Sequence, residues 1–422
     1  MPRIPPLLER SRRHFRLLKP AWQKWRRLSR YFPPPSIVGI RGPHRPTGYH
    51  YLFDDYLAAQ PGAGEATEVY AAENFYRPPP RTLDGGPPHP VFAALSQATI
   101  PAVRVLQLHG ARYWGYNAGV IIGRDNRLIY ELSPDVWGIE SHRAFSQWRY
   151  PPCRKLAGTV AVVSTAAAER NYWHWTMELL PRVHFLAKAG FGPDKVDYYI
   201  INHSSRRYEL DSFARLGLPL EKILRADETL HFTADEVITT NNKAGQFAVA
   251  KHVVQWLREG YGGVPARPRR RLYLTRRNCV FRRLLNETAI EPALRTHGFE
   301  IMEMDALPAA EQIALFAEAR IILGPHGSAF TNSVFAAPGT TLAEIIPNSY
   351  VDAAFWAQAI ANGQQHFADF TPGASGLDYT HICRQDDFSV DPARFARWLE
   401  WVLAESEKSS TAQDKPASFS RP

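Results

Sequence analysis

Three short stretches concentrate the side chains that could do chemistry. The first is Asn171-Tyr172-Trp173-His174-Trp175-Thr176-Met177-Glu178-Leu179-Leu180-Pro181-Arg182. His174 and Glu178 are four apart, so a helix puts both on one face. Arg182 continues the line, with Pro181 set to kink the helix just before it. A carboxylate beside an imidazole, among Tyr172, Trp173 and Trp175, suits general-base work, because apolar surroundings raise the carboxyl pKa towards working pH. Aromatic rings also offer platforms for the C–H faces of sugars. The same spacing fits a structural His–Glu–Arg ladder that staples a helix. A metal site lacks a third ligand here.

The second stretch, Leu323-Gly324-Pro325-His326-Gly327-Ser328-Ala329-Phe330-Thr331-Asn332, follows an apolar run and opens a helical pattern. Its glycines allow close backbone approach, and free N–H groups at a helix start attract phosphate. That attraction is worth roughly 0.3–1 kcal/mol, so side chains must add to it. Neither the Walker spacing nor G-x-G-x-x-G is present. A tight loop with Ser328 as N-cap explains the same residues. The third stretch is Thr275-Arg276-Arg277-Asn278 with Arg282, Arg283, Asn286 and Glu287. Guanidinium forks suit a diphosphate; arginine-rich loops are also common as solvated surface.

The elements that must hold these residues are legible from periodicity. Val120-Ile121-Ile122 and Leu128-Ile129-Tyr130 flank Asp125-Asn126 as a hairpin. A strand over Thr159 to Ser164 leads into a helix beginning near Glu169, and Tyr198 to Asn202 is the next strand. After turn formers at Tyr261 to Ala266, a hinge, strands and helices alternate. They are Leu272–Leu274, Asn286–His297, Phe299–Met304, Ala309–Ala319, Ile321–Leu323, Ser328–Ala336 and Leu342–Ile346. That rhythm predicts parallel pairing. Helical segments follow near Ala353–Ala361 and Ala393–Ala404.

The 422 residues suit two domains with tails. A hydrophobic fraction of 45% excludes a largely disordered chain, and no apolar run reaches the length that spans a bilayer. Three scattered cysteines make neither a disulfide framework nor a zinc ribbon. The net charge of +9 belongs to residues 1–30, which hold ten basic side chains against Glu9 alone. Beyond them, 40 basic and 40 acidic residues balance, which argues against an extended nucleic-acid face. Phe15, Leu18, Trp22 and Trp25 interleave the cations, as in a segment lying on an anionic membrane; a disordered basic arm fits equally.

In this order the three stretches resemble glycosyltransferase family 61, which includes bacterial capsular-polysaccharide proteins, plant xylan transferases and animal O-GlcNAc transferases. The likeness extends through Phe335-Ala336-Ala337-Pro338-Gly339-Thr340, Glu344 and Pro347, and covers roughly residues 100–350. The resemblance implies an inverting, metal-independent transferase of α/β class, GT-B-like, with two facing Rossmann-like domains and a cleft between them. It implies a nucleotide-sugar co-substrate, UDP-linked, and no other cofactor. Glu178 is expected as base, with His174 orienting it or taking the proton itself. Arg276, Arg277, Gly324, His326, Gly327, Ser328 and Asn332 are expected at the donor, with Glu344 on ribose hydroxyls. Asn171, Tyr172, Trp175 and Arg182 are expected on the acceptor side. Pro325 departs from the family pattern and removes one phosphate-facing N–H.

The chain is thus expected to divide into a basic tail (1–35), a Pro/Gly-rich irregular lead-in (36–100) and an acceptor-side α/β domain (101–262). A donor-nucleotide domain (263–372), a helical segment (373–405) and a disordered tail (406–422) complete it. Expected partners are the donor and a glycan or lipid-linked glycan acceptor of surface polysaccharide synthesis, without nucleic acid. The expected location is the cytoplasm, with peripheral contact on the inner face of the membrane. A non-catalytic sugar-nucleotide or glycan-binding protein is the alternative; a dehydrogenase is made remote by the absent dinucleotide fingerprint.

Overall fold

A computed structural model describes residues 45–135, 138–147, 149–241, 249–262, 266–375 and 385–413. The basic tail expected at 1–35 lies outside them, as do residues 263–265 of the expected hinge. Strands of the first half are β1 (Gly48–His50), β2 (Gly64–Tyr70), β3 (Glu73–Tyr76), β4 (Gln97–Ile100), β5 (Val103–His109) and β6 (Arg112–Trp114). They continue with β7 (Val120–Ile122), β8 (Arg127–Ile129), β9 (Arg154–Val162), β10 (Tyr198–Ile201), β11 (Ile223–Arg225) and β12 (His231–Thr240). Helices here are α1 (Phe53–Ala59), α2 (Pro90–Ala94), α3 (Arg143–Ser146), α4 (Tyr172–His174), α5 (Leu180–Lys188), α6 (Arg207–Arg215) and α7 (Lys251–Gln255). The second half holds β13 (Arg270–Leu274), α8 (Glu287–Thr296), β14 (Phe299–Met302), α9 (Ala309–Ala317), β15 (Ala319–Pro325), β16 (Thr341–Pro347), α10 (Ala354–Ala361), β17 (Gln365–Thr371) and α11 (Pro392–Gln413).

The first sheet has ten strands, and its parallel part runs β11-β10-β9-β12. Counted in chain order this is 3-2-1-4, the order of a Rossmann half. Against β12 lie β5 and β6, both antiparallel, so the sheet is mixed rather than purely parallel. The second sheet is fully parallel in the order β14-β13-β15-β16-β17, or 2-1-3-4-5, the doubly wound order of flavodoxin-like sheets. Its strand order reverses between β13 and β15, and ligands of open α/β sheets bind at the carboxyl ends there.

Side chains from both sheets meet in one apolar core. Val183, Phe185 and Leu186 of α5 join Leu272 and Leu274 of β13, with Phe330, Phe335 and Trp356. The halves are therefore packed together beside the cleft described below. The expected hinge begins at residues that are pinned: Tyr261 and Gly262 are buried, and Arg215 donates to both of their carbonyls.

Two expectations differ at the ends of the chain. Residues 48–100 are not an irregular lead-in. β2 pairs antiparallel with β5, β3 pairs with β4, and Phe53 and Tyr56 are fully buried. Pairing partners distant in sequence supply the order that a proline-rich composition conceals. The last helix passes Ser406 and ends at Gln413, because Ser406 is buried and its hydroxyl accepts from Thr341 at 2.9 Å. Among the described residues no helix is long and apolar enough to cross a membrane.

Candidate active site

The loop after β9 delivers the first stretch. Asn171 takes extended backbone and its Oδ1 accepts from the Trp173 N–H at 2.8 Å, so it caps α4. The helix then widens into a π turn over Trp175–Leu179 before continuing as α5. Pro181 has no N–H for the carbonyl of Met177, and the wider turn accommodates that loss without breaking the helix. The expected kink is thus a local change of helical register. Across it, His174 Nδ1 lies 2.9 Å from Glu178 Oε2, within ion-pair distance but off the hydrogen-bond line.

The loops after β13 and β15 deliver the other two stretches at the point where strand order reverses. Gly324 is required because an added Cβ would sit 2.6 Å from the Leu274 carbonyl oxygen of the neighbouring strand. Gly327 is required for a different contact: its Cβ would lie 2.0 Å from Arg276 Nη1. Arg276 donates through Nη2 to the Phe281 carbonyl at 2.6 Å and through Nε to the Arg282 carbonyl at 3.1 Å. Neutral carbonyls orient this guanidinium without cancelling its charge. Burial lowers its pKa somewhat, a sign of how far it is desolvated. Burial, and then Arg276 beside it, push Arg282 down to about 10. Arg282 stacks over the Tyr350 ring at 4.6 Å.

These elements line a cleft open to solvent, made of two adjoining lobes of which the second is the larger. Tyr172, Tyr208, Arg276, Asp305 and Ser328 line both. The larger lobe is walled by Asn171, Trp173 and His174 from the first half, facing Arg282, His326 and Tyr350 from the second. One hydrogen bond ties the two sides at its edge: the Tyr172 hydroxyl donates to Asn332 Oδ1 at 2.7 Å, and Asn332 donates on to Gln312. After Gly327 a 3-10 helix, Ser328–Phe335, replaces the expected α-helix. Its leading N–H groups lack intrahelical acceptors, as at any helix start.

Several expected site residues take other positions. Glu344 cannot meet ribose, because it is fully buried between two imidazoles. His326 Nδ1 contacts its Oε1 at 2.9 Å and His366 Nε2 its Oε2 at 2.6 Å. Burial opposes its ionisation, yet both histidines outweigh that and hold its pKa down to about 2. It positions His326, whose Nδ1 it occupies. Arg277 turns away from the cleft towards α8, where it pairs with Glu291 and approaches Glu287 at 3.5 Å. Successive residues leaving a strand point to opposite sides, which separates it from Arg276. Trp175 is core: it is fully buried and its Nε1 donates to Ser212 at 3.1 Å. Arg182 donates to the Ser164 carbonyl, and burial pushes its pKa to about 10 despite nearby Glu178. Neither Arg182 nor Glu178 lines the cleft, whereas His174 does.

Other lining residues were not singled out by spacing. Arg206 and Tyr208 begin α6 just beyond β10, at the carboxyl edge of the first parallel sheet. That edge position was the available signal. Arg170 lies immediately before the first stretch, and Asp305 and Tyr350 follow β14 and β16. Residues 172–343 match the family model described as Glycosyltransferase 61, a span holding His174, Glu178, Arg276 and His326. No curated protein matches the chain significantly.

Proposed function

Starting from a chain whose residues 172–343 belong to glycosyltransferase family 61, and which is therefore a glycosyltransferase, we propose an inverting enzyme that uses a UDP-linked sugar. Its acceptor is a glycan or lipid-linked glycan of capsular or exopolysaccharide synthesis. The observation that carries this reading is the shared cleft: His174 from one half faces Arg276, Arg282 and His326 from the other. The strand orders of the two halves support a GT-B-like arrangement, with donor on the second sheet and acceptor on the first.

In this mechanism the acceptor oxygen attacks the anomeric carbon opposite the departing diphosphate, so one displacement inverts the centre. The acceptor proton passes to Nε2 of His174 as the new C–O bond forms, and the electron pair of the breaking bond leaves on the diphosphate. Nδ1 of His174 faces Glu178, whose charge favours the imidazolium produced. His174 takes the role first expected of Glu178 because the imidazole lines the cleft. Base assistance of this kind contributes typically ~10²–10⁴-fold. Arg276, Arg282 and the Ser328 and Ala329 amides receive the charge on the leaving group, supplying the electrostatic role that a cation has in other transferases. The enzyme acts on the cytoplasmic face, with residues 1–30 resting on anionic lipid. Removing those residues is expected to abolish binding to anionic liposomes; undiminished binding refutes that placement.

A thermal-shift screen against nucleotide sugars tests the donor assignment. One nucleotide class is expected to stabilise the wild type strongly and the Arg276→Ala variant weakly. Equal stabilisation of both proteins contradicts it.

A further inference from the structure

The two lobes differ in charge, and that difference sets the direction of the ligand. Five basic side chains line only the larger lobe: Arg170, His174, Arg206, Arg282 and His326. Arg276 is the basic residue of the smaller lobe, at its boundary with the larger one. Glu303 belongs to the smaller lobe alone, Asp352 to the larger alone, and Asp305 is shared, so two acids face six basic side chains in the larger lobe and one, Arg276, in the smaller. A diphosphate is drawn to the first environment and repelled by the second. The uncharged, hydroxyl-bearing end of the same ligand fits the second.

Glu303 follows β14, the strand beside β13 on the far side from β15. The smaller lobe therefore runs along the carboxyl edge from β14 across β13 to the Gly327 loop. Asn278 Nδ2 donates to Glu303 Oε2 at 2.9 Å and steadies the carboxylate. An ionised carboxylate only accepts hydrogen bonds, which suits paired hydroxyls. In dinucleotide-binding sheets an acidic residue at this strand end takes ribose hydroxyls. Asp305 faces a different task, because its charge acts on Arg276 and Arg206.

We propose that the smaller lobe is the nucleoside end of the donor site and that Glu303 accepts hydrogen bonds from the ribose hydroxyls, the role that Glu344 is too buried to fill. This rests on the nucleotide-sugar reading above. Isothermal titration tests it with UDP, GDP, ADP and CDP and their 2′,3′-dideoxy forms, on wild type, Glu303→Gln and Arg276→Ala. For the nucleotide that binds, loss of the hydroxyls and Glu303→Gln should each weaken binding roughly tenfold to a hundredfold, the scale of a charged hydrogen bond. Together they should weaken it no further. Unchanged affinity of Glu303→Gln, or equal binding of ribose and dideoxy forms, overturns the assignment. If Arg276→Ala still weakens binding in that case, the nucleotide reading survives alone. Binding of none of the four overturns both.

Discussion

Replacing Gly327 by alanine tests how the loop after β15 is built. Its φ of 179° is extended backbone that alanine adopts freely, so the cost arises from the side chain alone. The new Cβ would lie 2.0 Å from Arg276 Nη1 and 2.9 Å from its Cζ. The guanidinium resists displacement because two carbonyls hold it, at 2.6 and 3.1 Å. Alanine must therefore break at least one of these bonds, each worth about 1.5–3 kcal/mol for a charged donor. Stability should fall by about that amount. A displaced Arg276 also loses the contact proposed for it with a diphosphate, so UDP affinity should fall roughly 10- to 150-fold. Titration of wild type, Gly327→Ala, Arg276→Ala and the double variant reads this directly. The double variant should bind like Arg276→Ala to within about 0.5 kcal/mol, since both changes remove one interaction. Additive losses would refute the account and give Gly327 a separate contact with the ligand.

Arg277→Ala should leave UDP affinity within about twofold, because its guanidinium already serves Glu291 and Glu287; a tenfold loss in the same titration contradicts this. Glu344→Gln should destabilise the protein by about 3–5 kcal/mol in chemical denaturation, the cost of removing one partner from a buried ionic cluster. The pH dependence follows from the sign of the shift. A carboxyl held at about 2, below its ordinary 4.5, adds stability that is full above about pH 4.5 and is lost as pH falls towards 2. The wild type should therefore lose more stability than Glu344→Gln across that window. Parallel pH profiles for the two proteins contradict it.

The parts of the site written as local patterns could be read from the chain. The helical spacing of His174 and Glu178 and the glycine loop after an apolar strand are both such patterns. The alternation that produces β13 to β16 of the second sheet is another; its fifth strand, β17, is not among the elements read from periodicity. What escaped depends on contacts between distant residues. Glu344 looked like a ligand at a strand end, and only the register of β16 with β17 puts His366 against it. Nothing around His366 in the sequence marks it. Trp175 and Trp173 are equally aromatic, and the widened turn and the docking of α6 decide that Trp175 faces Ser212. Arg276 and Arg277 are adjacent and chemically alike, but α8 draws only the second away. The proline-rich residues before 100 gain their order from β5, a partner that composition does not reveal.

His174→Gln, measured for both turnover and nucleotide affinity, addresses the core of this account. Transfer from the donor selected by thermal shift should fall by ~10²–10⁴-fold, while UDP binding stays within about threefold. Near wild-type turnover in His174→Gln, with turnover abolished in Glu178→Gln, would contradict it.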